Sequence, residues 1–111
     1  MRKSMAAGLL AVLSILSVQV KAEDTPVFEL IIKDHRFEPA ALEIPAQKKV
    51  KLVVKNQDAT PEEFESYELN REKVIPGNSQ AVVFIGPLAA GEYPFFGEFN
   101  QATAQGKIVA K

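Results

Sequence analysis

Apolar and polar residues alternate with a period of two along most of this chain, a pattern that admits short, half-buried strands and little else. Phe28, Leu30 and Ile32 alternate with Val27, Glu29, Ile31 and Lys33. Leu42 and Ile44 mark a short second strand. Val50, Leu52 and Val54 face one way, while Lys49, Lys51 and Lys55 face the other as a solvated stripe. Val82 and Phe84 alternate with Ala81, Val83 and Ile85, Tyr93 and Phe95 with Glu92, Pro94 and Phe96, and Lys107 to Lys111 closes the chain with Ile108 and Ala110. Turn signals separate the runs: Pro45-Ala46-Gln47-Lys48, Asn56-Gln57-Asp58, Pro76-Gly77-Asn78, Gly86-Pro87 and Ala90-Gly91. Thr60 to Leu69 reads as a loop or short turn leading into a brief strand. Seven to eight short strands punctuated this way predict an all-β, Greek-key sandwich in a single domain.

The first 22 residues obey a different pattern. Arg2 and Lys3 give a basic start, Met5 to Val18 runs apolar and small, and Val20-Lys21-Ala22 has the form of a cleavage site before Glu23. That order is a secretory signal peptide. The apolar run is about 14 residues, short of the roughly 20 that span a bilayer as a helix. The expectation is therefore a cleaved signal over residues 1–22, a domain over residues 23–111, and a periplasmic destination.

Three of the thirteen basic residues and none of the fourteen acidic ones lie in that leader, so the domain carries a formal charge of −4. An acidic balance argues against nucleic acid or an anionic membrane surface as a partner. Both methionines, Met1 and Met5, fall in the leader, and there is no cysteine. The domain thus contains no sulfur, which excludes disulfides, thiol catalysis, iron–sulfur clusters and thiolate zinc sites. No Ser-His-Asp set and no glycine-rich phosphate loop is present.

Four segments in order resemble the cupredoxins: the Phe37-Glu38-Pro39 step after the first strand, the Asn56-x-Asp58 turn with its polar loop, "IPGNSQAVVFI", and "GEYPFFGEFNQATAQGKIVAK". The resemblance implies a cupredoxin sandwich with a metal site between two loops at one end. Blue copper requires two imidazoles, a thiolate and a weak thioether. Here the resemblance lays the first histidine near Glu62, the cysteine on Gly97, the second histidine on Asn100 and the methionine on or near Thr103, so that set is missing. The strings "DHRFEP", "NQDATPEEFES", "EKVIPG" and "YPFFGEF…TAQG" are similar to the periplasmic cupredoxin-like proteins of bacterial ferrous-iron uptake. That likeness implies a copper or iron ion as the bound species, an accessory part in iron oxidation or delivery rather than an enzyme in its own right, and an inner-membrane iron permease or another periplasmic protein as partner.

The candidate metal ligands are Glu62, Glu63, Glu98 and His35. Carboxylates in facing loops are hard donors suited to Fe(III), Mn, Ca or Cu(II); the alternative is a solvated acidic loop, since Glu65 and Glu68 follow closely. His35 is the sole histidine; it reads either as an imidazole ligand or as a strand-end residue that is hydrogen-bonded or faces solvent. Tyr93 and Phe95 fit the core by alternation, whereas Phe96 and Phe99 are candidates to cover a site or meet a partner. Gly97 between bulky neighbours predicts a positive φ or a close approach. A metal-free interaction module presenting Phe96 and Phe99 is the competing reading.

Overall fold

A computed structural model describes residues 24–111; the leader expected over residues 1–22 lies outside the described residues. The described chain forms nine strands: β1 (Val27–Lys33), β2 (Arg36–Glu38), β3 (Ala41–Ile44), β4 (Val50–Asn56), β5 (Glu62–Ser66), β6 (Arg71–Ile75), β7 (Ser79–Ile85), β8 (Gly91–Gly97) and β9 (Gln105–Ala110). They build a four-stranded sheet of order β2-β1-β4-β7 and a five-stranded sheet of order β3-β9-β8-β5-β6. Two parallel pairings, β1 with β4 and β3 with β9, need crossovers between the sheets and give the sandwich its Greek-key character.

The alternation places the core. Leu30 and Ile32 of β1, Val50, Leu52 and Val54 of β4, and Val83 and Ile85 of β7 are buried from one sheet; Phe64, Ile75, Phe95 and Ile108 are buried from the other. Near one end three rings interlock. Phe37 meets Phe95 edge-on, with centroids 4.9 Å apart, and Phe64 lies 5.0 Å from Phe95. Such pairs contribute about 0.5–1.5 kcal/mol beyond the area they bury. At the same end Asn56, itself buried, ties the sheets together: its Nδ2 donates to the Thr60 and Ile75 carbonyls, and its Oδ1 accepts the Asp58 N–H.

The strand count exceeds the seven to eight expected because β2 is only three residues long and because the stretch after Thr60 is regular. Glu62 to Ser66 is a strand, and a turn closed by the Asn70 N–H on the Tyr67 carbonyl at 3.1 Å returns it as β6. The physical reason is its composition. Glu62, Phe64 and Ser66 point inward and Glu63 and Glu65 outward, so two of the three core positions are polar and hydropathy does not alternate. Ser66 is made compatible with burial by donating its hydroxyl to the Pro94 carbonyl at 2.7 Å and accepting the Leu69 N–H at 3.2 Å.

Candidate functional site

The loop after β8 is a single 3₁₀ turn, Glu98–Asn100, folded back so that the Gly97 N–H reaches the Ala104 carbonyl and the Ala104 N–H the Asn100 carbonyl, both at 2.8 Å. This puts Gly97 and Asn100 over the start of β5. The Glu62 carboxylate, 1% exposed, occupies the space between them. Its Oε1 accepts the N–H groups of Phe99 at 2.9 Å and Glu63 at 3.0 Å, and its Oε2 accepts the Asn100 amide at 2.7 Å. Gly97 has an extended backbone, φ −93°, so its need is room. A Cβ there would stand 2.6 Å from both the Glu62 carboxyl carbon and the Ala104 methyl. Thr103 donates its hydroxyl to the His35 carbonyl at 2.6 Å, which joins this loop to the β1–β2 hairpin.

On the opposite face of the same strand the chemistry is reversed. Glu63 and Glu65 point out from β5, and Glu72 stands opposite Glu65 on β6. One carboxylate oxygen from each of these three lies within 4.8 Å of the others. Glu63 is more than nine-tenths buried, and its Oε1 has no hydrogen-bond partner. Its carboxyl is pushed up to about 7, first by a carboxyl–carboxylate contact with Glu72 that needs a proton between them, then by burial and by the charges of Glu72, Glu65 and Glu98. Glu65 is also raised, by burial first and then by Glu72 and Glu98. Tyr67, against the Phe96 ring at 5.5 Å, has its phenol raised chiefly by Glu65. A like-charged cluster around a buried, unpaired oxygen is unfavourable as it stands and is relieved by a proton or a cation.

The sequence profile of the cupredoxin-like domain matches residues 6–110. The chain belongs to the cupredoxin-like domain family. An uncharacterised protein of Rickettsia prowazekii (strain Madrid E) is 43% identical over 81 residues, 73% of this chain and 65% of that protein, so this chain spans less than two thirds of that relative. Among solved structures, auracyanin A, a blue copper protein from Chloroflexus aurantiacus, superposes with a TM-score of 0.67 at 16% identity, covering 79% of this chain and all of that one. Amicyanin from Paracoccus versutus gives 0.60 at 14%, covering 81% and 84%. The metal-binding domain of the Streptococcus pneumoniae D39 Cu(I)-exporting P-type ATPase gives 0.65 at 11%, covering 77% and 84%. At these identities the structural likeness establishes the fold.

In this cupredoxin-like domain three of the positions that the family resemblance assigns to copper ligands do converge: the Glu62 carboxylate lies against both Gly97 and Asn100. They do not fit a blue copper ion. Gly97 has no side-chain donor, the Asn100 amide nitrogen is spent on Glu62, and both Glu62 oxygens already accept hydrogen bonds. Soft copper asks for sulfur and imidazole, and none of these three positions carries either.

The four candidates singled out from the sequence therefore separate. Glu62 and Glu63 are neighbours on a strand and face opposite sides. Glu98 borders the outer cluster, adding its charge to those acting on Glu63 and Glu65. His35 stands in the two-residue turn from β1 to β2, with φ 57° beside Asp34 at 52°, the paired left-handed geometry of a type I′ hairpin. Asp58 stabilises that turn, accepting the Asp34 N–H at 2.8 Å and the His35 N–H at 3.0 Å. The same two hydrogen bonds, that from His35 foremost, hold the Asp58 carboxyl below its ordinary range. Glu65 and Glu72 are the members the sequence reading passed over. The signal was the Glu63-x-Glu65 spacing, which places both carboxylates on one face once the segment is a strand.

Proposed function

We propose that this protein is an exported, periplasmic accessory of iron uptake that holds a hard metal ion through Glu63, Glu65 and Glu72, with Glu98 at the margin, and passes it to or receives it for a membrane permease. The observation that carries this reading is the buried, unpartnered Oε1 of Glu63 at the centre of three carboxylates. Oxygen ligands at this spacing suit Fe(III), Fe(II), Mn or Ca, or Cu(II), rather than Cu(I). The likeness of "NQDATPEEFES" and "EKVIPG" to iron-uptake cupredoxins supports iron as the cargo.

Titration of the domain with anaerobic Fe(II), and with Tb(III) as a hard-ion probe whose emission Tyr67 would sensitise, tests the reading. Saturable binding of one ion per chain is expected, weakened at least tenfold by Glu63→Gln and by Glu72→Gln and unchanged by Glu92→Gln. Absence of saturable binding to Fe(II), Cu(II) and Tb(III) alike would sink it. The second reading, a metal-free interaction module, is favoured by one observation: Phe99 is 51% exposed while its N–H is fixed by Glu62. Under that reading Phe99→Ser abolishes capture of a permease or periplasmic partner without lowering thermal stability.

A further inference from the structure

The domain's net charge is negative, but its charges are unevenly distributed between the two sheets. The outward rows of the four-stranded sheet follow from its register: Val27, Lys51 and Phe84 lie side by side, then Glu29, Val53 and Val82, then Ile31, Lys55 and Gln80. Lys33 and Arg36 extend the same face across the β1–β2 hairpin, and Lys49 lies over the Phe84 ring at 4.8 Å. The acidic residues in register on this face are Glu29, which pairs with Lys55 at 2.6 Å, and Glu38. Five basic groups thus stand against these two acidic ones, with Asp34 a third acid at the hairpin tip. Interspersed with them are exposed apolar side chains, Val27, Val82 and Phe84 each being more than a third exposed. The clustered carboxylates Glu63, Glu65 and Glu72 are on the other sheet.

From this segregation we infer that the outer face of the four-stranded sheet is a docking surface for an anionic lipid bilayer. Arg36 on β2, Lys33 on β1 and Lys51 and Lys55 on β4 spread the positive charge over three neighbouring strands, which suits an extended anionic surface. Lysine stems cover apolar surface while their ammonium groups reach outward, and with Phe84 and Val82 between them the face matches headgroup phosphates around an acyl boundary. Electrostatic attraction acts over about a Debye length, roughly 8–10 Å at physiological salt, so the local basic field governs approach despite the opposite net charge. The carboxylates on the far sheet would then point away from the bilayer. The inference is independent of whether those carboxylates hold a metal.

The experiment is cosedimentation of the domain with vesicles of phosphatidylglycerol and phosphatidylethanolamine, and with vesicles of phosphatidylcholine alone, at low and at physiological salt. The expected result is binding to the anionic vesicles alone, falling at least tenfold in Lys49→Glu/Lys51→Glu and unaffected by Glu63→Gln/Glu72→Gln. Raising the salt should release the unmodified protein, a readout that stands even if the double charge reversal fails to fold. No binding to anionic vesicles at low salt would overturn the inference, as would equal binding to both vesicle types. Concentration-dependent self-association abolished by Lys49→Glu/Lys51→Glu would also overturn it, since a second copy's acidic face would then be the occupant.

Discussion

Glu62 and Glu63 are adjacent on β5, both more than nine-tenths buried, and they meet opposite fates. Glu62 turns inward to the end of the sandwich and receives three donors. Glu63 turns outward to two further carboxylates and leaves one oxygen unpartnered. Burial is common to both, so burial does not separate a structural carboxylate from a candidate ligand. The supply of donors does. Where a loop brings N–H groups to a carboxylate, the charge serves as a fastener for that loop; where sheet register brings more carboxylates, it is left needing a cation or a proton.

The largest effect should come from breaking the satisfied member. Glu62→Ala leaves the Phe99 and Glu63 N–H groups and the Asn100 amide without their acceptor, and a loss of roughly 2–4 kcal/mol in urea unfolding is expected. Next is Gly97→Ala, whose methyl would press on the Glu62 carboxyl carbon and on Ala104 at 2.6 Å. Because the Ala104 methyl has no rotamer to yield, overpacking should cost roughly 1–3 kcal/mol by the same measurement. Glu63→Gln should act with the opposite sign, raising the urea midpoint of the metal-free protein by removing like-charge repulsion. A fall in that midpoint would show that Glu63 is held as firmly as Glu62.

The smallest effect is in the pH dependence of the metal-free protein. Glu63 titrates at about 7 when folded, above the ordinary carboxyl value of about 4.3 when unfolded. The native state therefore binds the extra proton, and the associated stability is fully present below about pH 4 and lost as pH rises through about 7. Denaturation midpoints in chelator should decline from pH 5 to pH 8, and Glu63→Gln should flatten that slope.

The sandwich was legible in the sequence because most of its strands carry hydropathy with a period of two, as in β4, where Val50, Leu52 and Val54 are buried between half-buried lysines. β5 was not legible, because a buried glutamate and a buried serine sit where alternation calls for apolar side chains. Their burial depends on hydrogen-bond partners 28 to 38 positions away, an acceptor for Ser66 and donors for Glu62, and no local pattern carries that information. The same blind spot hid the outer cluster. Read as a loop, Glu63 and Glu65 are merely two acids in a run; read as a strand, they share a face with Glu72 across the hairpin. The charge total is equally silent on placement, since −4 does not show the basic excess on the outward face of the four-stranded sheet.

The position of β9 bears on the order in which the molecule can be assembled. It is inserted between β3 and β8, although residues 105–110 are synthesised after every other strand. Until they emerge, β3 has no partner in its sheet, and β8 lacks the neighbour that pairs with it over six residues. Nascent chains generally acquire structure only when the contacts of a domain can be completed. The five-stranded sheet cannot close before translation reaches Ala110, which keeps the polypeptide open and threadable late into its synthesis, as the export proposed above would require.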